Sequence, residues 1–241
     1  KAAIEAGEVS FSPASKKAAL IQYCDNLKDW NLSRQIPWGI PIPAFQNTQD
    51  PDDWIYNDRV DEKEIVVNGT TYRREEDTFD TWFSSGQWPF ITTDYLENGE
   101  LSRFYPTSVL ETGVDILYPW IARMIMLGLY ATDQVPFRHV YLHGLILDEH
   151  GQKMSKSKGN VINPIEVVAE FGSDALRLGI VASRSAGQNQ AFSTSKIIAG
   201  RNFCNKLWNI ARYIESRTGE SYQPQGELQP SSTADHWIIR Q

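Results

Sequence analysis

The sequence predicts an α/β fold with parallel strands. Two apolar β-type runs at 108–113 and 139–147 flank an apolar helical run at 116–130, which is the order of a strand–helix–strand crossover. A loop with glycines and lysines follows at 148–160, and Asn163, with proline and then glutamate behind it, caps a further helix. Ligands of open parallel sheets bind beyond the carboxyl ends of the strands, so we expect a ligand site at this loop.

Composition sets the broad class. The 241 residues carry 23 Lys and Arg against 30 Asp and Glu, a formal net charge of −7. With 41% hydrophobic residues the chain can bury a core, which excludes wholesale disorder. The acidic balance argues against binding nucleic acid through overall charge alone, although a local basic face is still able to do so. Cys24 and Cys204 lack zinc-site spacing, so we expect a reducing, cytoplasmic compartment and no protein-bound zinc.

The longest apolar run, 116–130, is too short for a membrane span and is interrupted by Pro119 and Arg123, so no membrane partner is expected. The chain starts without Met and without the features of a signal peptide. It ends, at 234–241, inside a predicted helix. We therefore expect a piece of a longer polypeptide.

The first 76 residues predict a helix, an extended segment and an insertion. Residues 12–31 form the predicted helix, with Ser12 as N-cap and Pro13 at N1. The prolines of 36–45 favour extended chain. The polar, acidic stretch 46–76 predicts a surface insertion with a hairpin turn at Asn68 and Gly69.

The aromatic segment 77–90 is predicted to be a loop, and the last third is predicted to be helical. Ser173 is the expected cap of one helix, and 200–217 is another. The second helix places Phe203, Leu207, Ile210, Ala211 and Ile214 on one face and basic residues opposite. Residues 221–232 have the composition of a linker, after which a new helix begins.

The segment KMSKS at 153–157 carries the clearest chemical signal. Two lysines sit in a loop bounded by Gly151 and Gly159, directly after a predicted strand. Flexible ammonium groups suit phosphates because they follow negative charge as it moves during phosphoryl or nucleotidyl transfer. The alternative is an ordinary solvated lysine loop.

KMSKSKGN (153–160), preceded by HGLILDEHGQ (143–152), resembles the signature of the class I aminoacyl-tRNA synthetases. The segments at 80–90, 104–128 and 200–209 are similar to the valyl branch of that family. Isoleucyl relatives are expected to show Asp at the position of Ser84 and Gln at that of Ile116. WNLSRQIPWGIPIPAF (30–45) is similar to the segment with which the family's chain re-enters the catalytic domain after the editing insertion.

The resemblance implies roles for individual residues. The predicted catalytic residues are Lys153 and Lys156. The predicted ATP-binding residues are Gly113, Asp115, His143, Gly144, Leu145, Met154, Ser155 and Lys156. The predicted walls of the amino-acid pocket are Trp82 and Ile116, and the predicted tRNA contacts are Arg201, Lys206 and Arg212.

Each assignment has a plainer structural alternative. Asp115 is also a possible helix cap, His143 a satisfied core residue and Met154 a core filler. Trp82 and Ile116 also suit a hydrophobic core. The basic face of 200–217 is also what a solvated helix presents.

The resemblance implies the second half of a Rossmann-like nucleotide-binding fold followed by an α-helical stem-contact region. Nothing in 1–107 resembles the HIGH motif of the first half, the editing domain is absent apart from possible return strands before Ser10, and 46–76 lacks a zinc knuckle. We assign the end of the editing insertion and the re-entry to 1–45, a polar insertion to 46–76, the catalytic half to 77–164, the stem-contact helices to 165–220, and a linker with the start of an anticodon-binding bundle to 221–241.

The expected function is part of an enzyme that activates valine with Mg2+-bound ATP and transfers it to tRNA(Val), inactive without the rest of its polypeptide. That remainder comprises the HIGH half, the editing domain and the anticodon-binding domain. Two alternatives remain open: an isoleucyl fragment, and a non-catalytic module that binds a nucleotide or RNA.

Overall fold

The computed structural model describes residues 1–182, 184–218, 226 and 230–240. The chain divides into two compact units. The first contains residues 1–161 and 184–192, and the second contains 162–183 and 193–241.

In the first unit the strands are β1 (Ser10–Ser12), β2 (Ser33–Arg34), β3 (Ala44–Asn47), β4 (Trp54–Tyr56), β5 (Glu64–Val67), β6 (Thr70–Arg74), β7 (Thr78–Phe79), β8 (Thr107–Gly113), β9 (Phe137–His143), β10 (Ile146–Leu147) and β11 (Gln190–Ala191). Its helices are α1 (Ala2–Ala6), α2 (Ser15–Asp25), α3 (Thr81–Gly86), α4 (Trp88–Ile91) and α5 (Arg123–Thr132). Short 3-10 turns cover Glu100–Phe104, Val114–Ile116 and Lys156–Lys158, and a π-helical turn covers Leu117–Ala122. The second unit contains α6 (Pro164–Phe171), α7 (Ser173–Val181), α8 (Thr194–Thr218) and α9 (Thr233–Ile239).

A parallel sheet forms the centre of the first unit and confirms the predicted fold class. Its strand order across the described residues is β1-β9-β8, with parallel pairing throughout. The chain between β8 and β9 is helical, as the crossover requires. Leu117, Ile121 and Met124 of that segment are fully buried in the same core as Val140 and Leu142 of β9.

The expectation that the apolar run at 116–130 is too short for a membrane span is wrong on length, because the helical stretch Val114–Thr132 is long and apolar enough to cross a membrane by length and composition. It nevertheless connects two strands of one sheet, and one face of it, with Leu117, Ile121, Met124 and Ile125, belongs to the core of that sheet. We therefore assign it to the core of the first unit.

The predicted strand 139–147 is interrupted at Gly144. β9 ends at His143, and the chain continues as β10, which pairs in parallel with β11 in a separate sheet. A Cβ at Gly144 would overlap the carbonyl oxygen of Gln188. The break therefore lets the backbone of 188–189 approach the end of β9, a long-range contact that the local sequence does not encode.

The predicted helix 12–31 is wrong at both ends. Ser12 is the last residue of β1, and the Ser12–Pro13 peptide is cis. The helix begins at Ser15 without a side-chain cap and ends at Asp25. The expected return strands before Ser10 are also absent from the structure, since 2–6 form α1.

The stretch 46–76 forms an antiparallel sheet with β3, in the order β4-β3-β6-β5. Its predicted hairpin is confirmed, since Asn68 and Gly69 have φ of 51° and 83° between β5 and β6. Phe45, Ile65 and Tyr72 form a small separate core. The prediction of a loop at 77–90 is wrong, because this segment contains β7, α3 and α4.

In the second unit α7 packs on α8, and glycines permit the close approach. A Cβ at Gly179 would lie 2.7 Å from Ile197 Cδ1, and one at Gly200 would lie 2.8 Å from the carbonyl oxygen of Ala175. The Asn163 cap is confirmed, because its Oδ1 accepts a hydrogen bond from the amide of Ile165 at 3.1 Å. Ser173 is not a cap: it is the first residue of α7, whose N-cap position is Gly172.

Most of the predicted linker 221–232 lies outside the described residues. The helix expected after it is present as α9. A capping box formed by Ser232 and Asp235 stabilises its amino terminus. Residues 184–192, within the range predicted to be helical, are instead largely non-helical and belong to the first unit.

Candidate functional site

The carboxyl ends of β8 and β9 bring three predicted nucleotide-binding residues together. Gly113 and His143 are paired positions at the ends of these parallel strands. Asp115 folds back over the same point, since a Cβ at Gly113 would lie 2.6 Å from Asp115 Oδ1 and 3.8 Å from His143 Cε1. The absence of a side chain at Gly113 therefore leaves space that the carboxylate and the imidazole both border.

Asp115 does not cap the following helix. It lies in the 3-10 turn Val114–Ile116, and neither that turn nor the π-helical turn behind it has a side-chain cap. The Asp115 side chain is exposed. The structure thus removes the plainer alternative for this residue, and its carboxylate is accessible to a ligand hydroxyl.

His143 is half-buried and has two partners. Its Nδ1 lies 2.9 Å from the carbonyl oxygen of Gly144, to which it donates, and its Nε2 lies 3.5 Å from Glu111 Oε1. These contacts fix the ring at the strand end. Sequence reasoning did not identify Glu111 as a site residue, although its alternation with Gly113 on β8 places both on the same face of the sheet.

The backbone of Leu145 is already used within the protein. Its amide donates to Asn189 Oδ1 at 2.8 Å, and its carbonyl accepts from the amide of Gln190 at 2.9 Å. Both backbone groups of Leu145 are thus paired within the protein, and the ATP contacts predicted for His143, Gly144 and Leu145 stay predictions. Asn189 lies 44 residues away in sequence, so no local pattern could have found it.

The lysine loop is joined to β10, the short strand that follows β9. Lys153 forms a β-bridge with Leu147, which lies four positions beyond the end of β9. Met154 and Ser155 are half-buried, whereas Lys153 and Lys156 are exposed. Both predicted catalytic lysines thus have side chains that are accessible from solvent. Gly159 ends the turn at φ 68°, which favours glycine.

Asp148 and Asn160 close the base of this loop. Asp148 Oδ1 accepts from the amides of Gln152, at 2.7 Å, and His150, at 3.0 Å, and its Oδ2 accepts from Asn160 Nδ2 at 2.7 Å. Asn160 Oδ1 in turn accepts from the amide of Ser155 at 2.9 Å. The hydrogen bond from the Gln152 amide, followed by that from Asn160, lowers the pKa of the Asp148 carboxyl below its ordinary value.

Both predicted walls of the amino-acid pocket are half-buried. Trp82 lies in the first turn of α3, and Ile116 ends the 3-10 turn Val114–Ile116. Each of these elements contacts the π-helical turn Leu117–Ala122. Trp120 of that turn donates from Nε1 to the carbonyl of Ser85 at 3.0 Å, which ties the carboxyl end of α3 to it.

A cavity of about 790 Å³ lies elsewhere in the first unit. It runs between the carboxyl end of α2, the segment 26–31 and α5. None of its lining residues is a predicted ATP, amino-acid or tRNA contact. The predicted site is instead an open edge of the sheet.

The predicted tRNA contacts lie in the second unit, on α8. Arg201, Lys206 and Arg212 are exposed, and the Arg201 guanidinium lies 5.9 Å from the centre of the Phe171 ring. The apolar residues of α8 are also exposed, at 50% for Phe203, 52% for Leu207 and 53% for Ile214. Among residues 201–218 only Cys204 is partly buried, so this part of the helix has no buried apolar face.

Comparison with known proteins places these features in a family. The family model for tRNA synthetases class I (I, L, M and V) matches residues 1–193. A relative from Gluconobacter oxydans named valine–tRNA ligase is 40% identical over 98% of this chain and 27% of its own length. A relative of the same name from Clostridium acetobutylicum is 38% identical over 98% of this chain and 27% of its own length. The chain thus spans about a quarter of these relatives.

Solved structures agree on the fold. Methionyl-tRNA synthetase from Mycobacterium tuberculosis, in complex with methionyl-adenylate, has a TM-score of 0.71 at 21% identity and covers 99% of this chain and 42% of its own. The leucyl enzyme of Agrobacterium radiobacter K84, in a ternary LeuRS-tRNA-LeuAMS complex, has a TM-score of 0.67 at 20% identity and covers 85% of this chain and 32% of its own. This likeness confirms the predicted Rossmann-like architecture.

Proposed function

We propose, because this chain belongs to the class I tRNA synthetases, that it forms part of a valine–tRNA ligase. Such an enzyme activates valine with Mg2+-bound ATP and transfers it to tRNA(Val). The observation that carries the proposal is the 40% identity to a valine–tRNA ligase over 98% of this chain. Ser84 and Ile116 further favour the valyl over the isoleucyl branch.

In the proposed activation step, a carboxylate oxygen of valine attacks the α-phosphorus of ATP. The mixed anhydride bond of valyl-adenylate forms as the bond to pyrophosphate breaks, and no covalent enzyme intermediate is needed. Lys156, assisted by Lys153, stabilises the negative charge that accumulates on the departing phosphates. Gly113, Asp115 and His143 receive the nucleoside, with the exposed Asp115 carboxylate accepting from ribose hydroxyls. The protein thus contributes charge stabilisation and positioning.

The proposed binding of tRNA uses the basic residues of α8. Arg201, Lys206 and Arg212 are exposed, and cationic side chains of this kind supply phosphate contacts that position a nucleic acid. Overall acidity does not oppose this role, because screening limits long-range repulsion to about 10 Å at 0.1 M salt.

The remaining parts of the enzyme are proposed partners within the same polypeptide: the HIGH half, an editing domain and an anticodon-binding domain. The edge strand β8 supports this, since it pairs only with β9 among the described residues and leaves a strand edge for further pairing. Free thiols at Cys24 and Cys204 support a cytoplasmic location.

Amino-acid-dependent ATP–pyrophosphate exchange by the full polypeptide that contains these residues tests the proposal. We expect exchange with valine at a kcat/KM at least about 100-fold above that with isoleucine. Preferential exchange with isoleucine would assign the protein to the isoleucyl branch. A protein that binds ATP or tRNA but exchanges with no amino acid would instead be a non-catalytic module.

A further inference from the structure

We propose that Asp80 is a positioning residue for the amino-acid pocket, which acts by fixing Trp82. The inference rests on the proposed function, because Trp82 is assigned there to the pocket wall. Asp80 is buried, with its side chain 6% exposed, and nothing in the activation chemistry accounts for a buried carboxylate at this position. A buried charge needs partners, and its partners explain what it does.

One carboxylate oxygen of Asp80 caps the amino terminus of α3, the helix that contains Trp82. Asp80 is the N-cap of α3, with φ −53° and ψ 128°, and its Oδ1 accepts from the amide of Trp82 at 3.2 Å. α3 has six residues, too few to be stable by propensity alone. Its first turn, and hence the direction of the Trp82 side chain, therefore depends on the cap.

The other oxygen of Asp80 holds three donors from two distant segments. Trp30 Nε1 donates to Oδ2 at 2.8 Å and Arg34 Nη2 at 2.7 Å. Arg123 Nη1, from the first residue of α5, lies 3.6 Å from the same oxygen. Such charge-assisted bonds are among the stronger hydrogen bonds in proteins. The carboxylate thus links the start of α3 both to the segment around Trp30 and to α5.

The donors are themselves fixed in place. The Arg123 guanidinium carbon lies 3.7 Å from the centre of the Trp30 ring, a close cation–π contact. The amide of Asp80 donates to the carbonyl of Leu32 at 2.7 Å. Two further contacts join α3 to the crossover helix: the Trp120–Ser85 hydrogen bond, and the packing at Gly86, where a Cβ would lie 2.7 Å from Leu127 Cδ1. α3 is therefore held at both ends.

The fixed position of α3, and of Trp82 on it, matters for recognition of the amino acid. A branched aliphatic amino acid offers its pocket only shape and apolar contact, so the placement of each wall decides affinity and discrimination. A displacement of about 1 Å in a positioning element is enough to cost about 100-fold. Removal of the Asp80 hydrogen bonds should therefore weaken recognition of valine while leaving that of ATP intact.

The test is Asp80→Asn in the full polypeptide, measured by valine-dependent ATP–pyrophosphate exchange. Asparagine retains an oxygen that can cap Trp82, but its NH2 group faces three donors and breaks the links from Trp30, Arg34 and Arg123. We expect the KM for valine to rise about tenfold, with the KM for ATP within about twofold of wild type.

Asp53→Asn is the matched control. Asp53 Oδ2 also accepts two side-chain hydrogen bonds, from Asn47 at 2.8 Å and from Tyr72 at 2.9 Å, but it lies in the small antiparallel sheet. We expect this variant to lower the melting temperature without changing either KM. An equal rise in the valine KM for both variants would overturn the proposal, because general loosening would then explain the effect.

A double-mutant cycle with Trp82→Ala separates positioning from a merely structural role. If Asp80 acts through Trp82, adding Asp80→Asn to Trp82→Ala raises the valine KM no further. Fully multiplicative effects would overturn the proposal.

Trp30→Phe is the second variant should Asp80→Asn fail to fold. It removes one hydrogen-bond donor to Asp80 while keeping an aromatic ring beneath Arg123, and we expect about a threefold rise in the valine KM. An unchanged valine KM would overturn the positioning role of Asp80. If the wild-type enzyme lacks valine-dependent exchange, the proposed function fails instead.

Discussion

Gly113 and His143 are paired residues at the carboxyl ends of two parallel strands, with the exposed carboxylate of Asp115 folded over the glycine. The three residues come from a single β8–crossover–β9 unit. A single strand–helix–strand crossover therefore brings the two strand ends together. Substitutions that add side-chain atoms at the glycines of this site test it.

Gly113→Ala should impair nucleotide binding without unfolding the protein. The new methyl group would lie 2.6 Å from Asp115 Oδ1, and a flexible carboxylate can move away, so the cost falls on the position of Asp115. We expect the KM for ATP to rise about fivefold, with stability changed by less than about 1 kcal/mol. The measurements are ATP-dependent exchange and thermal melting. An unchanged KM for ATP would contradict the role of this edge.

Gly144→Ala should act chiefly on stability. Its methyl group would overlap the carbonyl oxygen of Gln188, and backbone cannot move aside as a side chain can. We expect a loss of about 2–3 kcal/mol in the free energy of unfolding, measured by denaturant titration. A fully stable variant would show that the segment 187–190 does not pack on the end of β9 as described.

Lys156→Ala should slow valine activation in the full enzyme. Removal of one transition-state charge contact costs about 3 kcal/mol of barrier, or about 100-fold in rate. Lys158→Ala is the matched control, because it removes an exposed lysine of the same 3-10 turn. Single-turnover formation of valyl-adenylate measures both variants. Equal slowing of the two would mean that the loop contributes only general positive charge.

Acid should loosen the lysine loop. Hydrogen bonding to its charged form lowers the pKa of Asp148 in the folded protein, so the stability that it contributes is present above the ordinary carboxyl pKa of about 3.9. That contribution is lost as the pH falls through the lowered value. Hydrogen exchange of the peptide 149–160 should thus show constant protection from neutral pH to about pH 4 and a loss below it.

Asp148→Asn should abolish this pH dependence. Its NH2 group would face that of Asn160, so protection of 149–160 should already be low at neutral pH. The hairpin 64–74 serves as the internal reference within the same protein. If the loop is equally protected in both proteins, Asp148 does not anchor it.

Charge reversal on α8 tests the proposed tRNA contacts. Replacement of Arg201, Lys206 or Arg212 by Glu should weaken tRNA binding and reduce the slope of log affinity against log salt by about one for each phosphate that is no longer bound. Arg177→Glu on α7 is the control, since Arg177 is also exposed. An unchanged salt slope in all three variants would favour an ordinary solvated face.

Local patterns predicted the parts of the fold that depend on local physics. The hairpin at Asn68 and Gly69 is such a case, because the turn requires positive φ at both positions. The Asn163 cap is another. The helix assigned to 12–31 failed where tertiary pairing prevailed, since Ser12 is used by β1 against β9. The prediction of a loop at 77–90 rests on aromatic composition and does not use Asp80 as a helix cap, so it misses the short helices of this segment.

The candidate site divides in the same way. The lysine loop and Gly113 were predictable from residue type and from a family resemblance. Asn189 and the partners of Asp80 were not, because they contact the site from 43 to 50 residues away in sequence. Asp148 and Asn160 carried a usable signal, since an Asp and an Asn bracket the loop and such residues commonly bond to nearby backbone amides.

The segment between β2 and β7 has its two ends paired with each other. β2 pairs with β7, so that Ser33 faces Phe79 and Arg34 faces Thr78, and the ion pair from Arg34 to Asp80 follows directly. Whatever length of chain lies between these two short strands, its ends are held together. The hairpin turn at Asn68 and Gly69 is consequently a place where a peptide tag or a fluorophore can be inserted, to report on this protein without changing the distance between the segments that hold Trp82.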